Sequence, residues 1–224
     1  MTEKGDSQYI KSTEWMEKSV VDVQREKFVN QYSQQLFSFY NKYNIFSDLN
    51  TDEKQICSVL ESRFFFGIKM AYRRTNEKYP IYDIKFETNR NCSLVYFDYE
   101  TNSYGANIDT FKRSSKRIAE GKEVFINGLG SKIPIKETLE IAGVEEAVHL
   151  MFFNEKGNMG DFIFPENSKN RYIYHISDIE SMALYWKLAY IKRYFPEYYQ
   201  PLKKFNEGVT KIRRILINDK LSSY

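Results

Sequence analysis

Histidine and cysteine are nearly absent from this chain, two of each in 224 residues. Cys57 and Cys92 lie far apart with no second cysteine near either, which excludes a CxxC redox pair and a zinc knuckle. Both are expected as buried free thiols. No GxSxG, HExxH or Cys–His pair of hydrolase spacing occurs, so hydrolase and protease chemistry has no motif to rest on. Gly128-Leu129-Gly130-Ser131 lacks the third glycine and the Lys-Thr/Ser of a phosphate-binding loop and reads as a turn. No apolar run approaches the roughly 18–20 residues of a membrane span. The first residues, Met1–Gln8, lack the apolar core of a signal peptide. A cytoplasmic protein with no membrane contact and no cofactor is the expectation.

Alanine is also scarce, seven residues against 18 tyrosines and 17 phenylalanines. An aromatic content of 17% argues against long-range disorder, because disordered chains are poor in rings. The net charge of +3 is unevenly spread. Residues 141–180 carry three basic and seven acidic side chains, and residues 181–224 carry nine and three. An anionic partner would be drawn to the C-terminal end first.

Residues 1–11 read as a disordered lead-in and residues 12–224 as a single α+β domain, with residues 12–76 able to form a helical subdomain. Val21, Phe28, Tyr32, Leu36, Phe39 and Tyr43 recur at gaps of three and four, with one double gap across Arg25, and predict a helix over 14–43 capped by Thr13. Asn50-Thr51-Asp52-Glu53 is a capping box. It opens a helix to about Arg74, with Ile56, Val59, Leu60, Phe64, Gly67, Met70 and Ala71 on the buried side. Gly67 inside that stripe costs about 1 kcal/mol against Ala, which suggests a second backbone packed closely there.

After Pro80 the period changes to two, and Ile81–Phe86 with Ser93–Phe97 predicts a β-hairpin. Residues 101–122 are polar, and 123–126 reads as a further strand. Pro134-Ile135-Lys136-Glu137 opens a helix that Gly143 should end. Residues 145–153 fit a second helix, or 147–153 a buried strand, since periodicity does not separate the two over so short a run. Short strands are expected at 162–164 and 171–176. Ser177-Asp178-Ile179-Glu180 is a second capping box, opening a helix to about Tyr194, and a last helix is expected from Pro201. The fold class is therefore α+β: two N-terminal helices, a central, mostly antiparallel sheet of about four or five strands, and two C-terminal helices.

Five constellations bear on function. Lys112-Arg113-Ser114-Ser115-Lys116-Arg117 is the densest basic cluster. In the C-terminal segment Lys192, Arg193, Lys203, Lys204, Lys211, Arg213 and Arg214 alternate with Trp186, Tyr190, Tyr194, Phe195, Tyr198, Tyr199 and Phe205. Cations that neutralise phosphate beside rings that stack bases hold single strands, while Tyr, Trp and Arg are also enriched at protein–protein hot spots. Glu146 with His149, and His175 with Asp178, lie three apart and could share metal-ligating faces if helical. Asp83 and Lys85, with Asp98 and Glu100 on the next strand, outline an acid-x-Lys nuclease pattern that lacks an acid on an earlier strand. A helix-turn-helix outline over 135–151 fails on charge, because Glu145 and Glu146 would face phosphate. The leading expectation is a small binding or regulatory protein that acts through a protein partner, of the immunity, antitoxin, anti-defence or accessory-subunit kind. A nucleic-acid-binding protein and a metal-dependent enzyme built on Glu146, His149, His175 and Asp178 are the alternatives.

Overall fold

A computed structural model describes residues 15–75, 84–87, 94–98, 103–128, 131–156 and 178–199. Its elements are α1 (Lys18–Lys42), α2 (Thr51–Thr75), β1 (Ile84–Glu87), β2 (Val95–Asp98), β3 (Ser103–Asn107), α3 (Ile108–Ala119), β4 (Phe125–Gly128), β5 (Ser131–Pro134), α4 (Ile135–Lys156) and α5 (Asp178–Tyr194). A helical turn at 196–199 follows. The mixed helix-and-strand class holds, but the order and pairing differ from expectation. The expected lead-in, the strands at 162–164 and 171–176, and the last helix lie outside the described residues.

The capping box forms as read. The Asn50 side chain accepts from the Glu53 amide at 2.9 Å, and the Asn50 amide donates to the Glu53 carboxylate at 3.0 Å. Helix α2 is then buried almost all round, with Cys57, Phe65, Phe66, Ile68 and Tyr72 inside as well as the expected stripe residues Leu60, Phe64, Met70 and Ala71. A helix buried on most of its faces belongs at the centre of a core, and α2 takes Ser58, Glu61 and Ser62 inside with its apolar residues. Helix α2 packs against α1, α3 and α4, and α4 carries α5.

Gly67 marks the expected close approach. A Cβ there would collide with the Glu140 carbonyl oxygen, and a Cβ at Gly143 would collide with the Phe64 carbonyl oxygen. The two glycines let the α2 and α4 backbones touch reciprocally. Gly143 therefore does not end the helix it was read to terminate. Helix α4 runs unbroken through it to Lys156, which also makes 147–153 helical and removes the turn a helix-turn-helix would need.

The hairpin is a second correction. Strands β1 and β2 are separated by β3, which pairs parallel with β1 (Ile84 opposite Tyr104) and antiparallel with β2 (Val95 opposite Ala106). The remaining pair, β4 with β5, forms its own antiparallel ribbon, so among the described residues the strands lie in two small sheets of three and two. The polar stretch 101–122 holds both β3 and α3. Asn107 ends the strand and caps the helix, its side chain accepting from the Thr110 amide at 3.1 Å.

In α1 the buried face is Val21, Arg25, Val29, Ser33 and Tyr40. Phe28, Tyr32 and Leu36 pack at its edge, while Phe39 and Tyr43 are exposed. The stripe is thus rotated from the one read off the apolar residues, and the double gap across Arg25 falls on its inner side. The helix begins after Glu17, so the expected cap at Thr13 lies before it, outside the described residues.

Candidate functional site

The expected basic surface separates into exposed cations and buried rings. On α3, Arg113, Lys116 and Arg117 are exposed, opposite a face that buries Phe111, Ser114 and Ser115. Lys112 is turned aside, its ammonium 2.7 Å from the Asp48 carboxylate. In the last turn of α5, Lys192 and Arg193 are exposed. The Arg193 Nε donates to the Met16 carbonyl at 3.2 Å, and the Lys192 ammonium lies 5.7 Å from the centre of the Tyr199 ring. Tyr198 and Tyr199 are half-buried. Trp186, Tyr190, Tyr194 and Phe195, however, are core residues, so their faces pack protein and are closed to bases. Lys203, Lys204, Lys211, Arg213 and Arg214 lie outside the described residues.

Of the four metal-site candidates, the continuous α4 brings two together. Glu146 and His149 are buried, with His149 Nδ1 3.2 Å from a Glu146 carboxylate oxygen. His175 and the Asp178 side chain lie outside the described residues. Among the described residues no three His, Cys, Asp or Glu side chains cluster as a metal site would require. The described half of the nuclease outline does not lie on neighbouring strands. Lys85 on β1 and Asp98 on β2 sit on opposite edge strands with β3 between them, and Asp83 and Glu100 lie outside the described residues.

Two polar centres were not anticipated. The first surrounds Glu140, fully buried on α4. Arg25 Nε donates to both of its oxygens at 2.9 and 2.8 Å, the Arg63 guanidinium reaches it at 2.9 Å, and the Tyr190 hydroxyl donates at 2.6 Å. Arg25 also pairs with Asp22 and lies over the Phe66 and Phe195 rings, 5.5 and 5.4 Å from their centres. Burial alone would lower the Arg25 pKa, yet the Glu140 carboxylate outweighs it and raises it. Burial, then the same carboxylate, drives the Tyr190 hydroxyl well above its ordinary range. One carboxylate thus ties α1, α2, α4 and α5 together, and a buried charge held this way is a structural joint.

The second centre lies at the far end of α1. A cavity of about 230 Å³ opens between Gln35, Leu36, Phe39 and Tyr40 of α1, Ile45 of the following turn, Glu61 of α2, and Ile84 and Phe86 of β1. Glu61 is buried and accepts a hydrogen bond from the Tyr40 hydroxyl. Burial and then the Glu61 charge raise the Tyr40 pKa well above 10. The turn that supplies Ile45 is strained: Asn44 and Phe46 both have φ of 54°. That backbone suits asparagine and is costly for a bulky residue, and such strain collects at functional sites. Phe46 is held there edge-on between Tyr40 and Phe86, at centroid distances of 5.1 and 4.8 Å. At the rim, Phe39 and Tyr43 are 43% and 57% exposed with their rings 4.7 Å apart, and Lys42 sits 5.1 Å from the Tyr43 ring centre. The sequence signals were slight: Arg25 at a gap in an apolar stripe, and Glu61 as a lone acid inside one.

Among the described residues no helix is long and apolar enough to cross a membrane. Neither protein-family models, curated proteins nor solved structures give a match to the chain.

Proposed function

We propose that this chain is a cytoplasmic binding protein that acts by engaging another protein, in an inhibitory or accessory role. The observation that supports this most is the exposed Phe39–Tyr43 pair beside an apolar cavity. Large rings left at the surface around a recess have the composition of a protein–protein hot spot. The charged groups inside the helical core fit the same reading, since Glu140 with Arg25 and Arg63 is engaged in holding helices together.

The test is capture of the tagged full chain from its native host after cross-linking. A protein recovered in stoichiometric amount with the wild type and lost with Phe39→Ser/Tyr43→Ser supports the proposal. A recovered set indifferent to those substitutions overturns it. A second reading, binding to nucleic acid, is favoured by the exposed Arg113, Lys116 and Arg117 on α3. Under that reading, affinity falls steeply with salt and weakens uniformly across sequences in R113E/K116E/R117E.

A further inference from the structure

We propose that the cavity between α1, the turn after it, α2 and β1 is a binding site for a small, planar, apolar molecule with a single N–H or O–H donor, of the indole or phenol type. The size fits: a dry apolar cavity of roughly 150 Å³ takes benzene, and this one, at about 230 Å³, takes a bicyclic ring. Leu36, Phe39, Ile45, Ile84 and Phe86 give it apolar walls. Its polar floor is Tyr40 with Glu61, the arrangement of apolar lining and few oriented polar groups that marks small-ligand sites. The Tyr40 hydrogen is directed at Glu61, so the floor presents oxygens that accept. A carboxylate has about four lone-pair directions, so one that already has partners still accepts from a further donor. A ligand anion is repelled by the Glu61 charge, which is also among the causes that push the Cys57 thiol and Tyr40 hydroxyl up. The strained turn at 44–46 and Phe46, edge-on to Tyr40 and Phe86, brace the wall beside the cavity.

This site shares its Phe39 wall with the partner surface proposed above, and its test leaves Phe39 and Tyr43 unaltered so that the two readings fail separately. Indole is titrated into the full chain by calorimetry and by ligand-observed NMR, with 1-methylindole as the donor-free control. Saturable one-to-one binding of indole with a Kd below about 1 mM, weakened at least tenfold for 1-methylindole, is the expected result. Leu36→Trp, at a half-buried wall position, fills the cavity and abolishes binding while the circular dichroism spectrum stays that of the wild type. The proposal is overturned if indole does not saturate, if 1-methylindole binds equally well, or if a folded Leu36→Trp still binds.

Discussion

Glu140 and Glu61 are both buried carboxylates on central helices, and both accept from a tyrosine hydroxyl, but one lies among packed helices and the other lines a cavity. Glu140 meets two arginines and a tyrosine, from three helices that converge on its own. Glu61 meets Tyr40 at the edge of a cavity. The first arrangement excludes water and fixes the helices; the second faces space that water or a ligand can enter. Buried charge thus serves two ends in one small fold, and the difference lies in whether the neighbouring volume is filled.

The largest expected effect comes from breaking the filled centre. Arg25→Met keeps most of the apolar stem but leaves Glu140 with Arg63 as its remaining cation. Removing one member of a buried ionic cluster costs about 3–5 kcal/mol, so the urea midpoint should fall sharply. Leu36→Trp, on the cavity side, should leave it nearly unchanged or raise it. Equal losses from the two would erase the distinction between the centres.

Next in size is the crossing beneath Glu140. Gly67→Ala places a methyl group against the Glu140 carbonyl oxygen, a backbone atom that cannot swing aside. Overpacking costs about 1–3 kcal/mol where side chains relax, and the upper end is expected here, read from denaturant unfolding. An unchanged midpoint would show that α2 and α4 can separate without loss.

A matched pair of hydroxyl deletions sharpens the comparison. Tyr190→Phe strips a hydrogen bond from a sealed carboxylate and should cost about 2 kcal/mol. Tyr40→Phe strips one from Glu61, where water in the cavity can take its place, and should cost about 1 kcal/mol or less. A reversed order would mean that the cavity is drier than the Glu140 centre.

What could be read from the sequence follows the range of the interactions. The Asn50–Glu53 box is complete within four residues, so local chemistry determines it. Gly67 was legible because a glycine inside an apolar stripe needs a reason. Gly143 carried the same message, but its local habit as a terminator hid it, and only the partner helix 76 positions earlier explains it. Strand β3, Ser103–Asn107, has no β-branched residue and was invisible to periodicity, yet Tyr104, Gly105 and Ala106 are buried between two neighbouring strands. The C-terminal rings looked like a binding surface from their mixture with lysine and arginine, whereas helical spacing turns Tyr190 and Tyr194 inward. The two glutamate centres depend on pairings across distant elements, which no local pattern encodes.

The smallest effect tests the cavity side through its thiol. Cys57 is one turn before Glu61 on α2, buried against α3 with its Sγ 3.3 Å from the Ser115 hydroxyl. Burial, reinforced by the Glu61 charge, pushes the thiol up from 9.0 to about 12. In the unfolded chain Cys57 ionises near pH 9, while in the folded chain it stays protonated, so the folded state binds one proton more between those values. Stability from this group is therefore full below pH 9 and falls as pH rises toward 12, by about 1 kcal/mol at pH 10. Tyr40 and Tyr190, raised above 10, add the same sign only at higher pH, which leaves 9 to 10 as the window for the thiol. Urea midpoints measured across that window should decline in the wild type and stay flatter in Cys57→Ala. Identical slopes in the two proteins would mean that burial does not hold the Cys57 thiol protonated above pH 9.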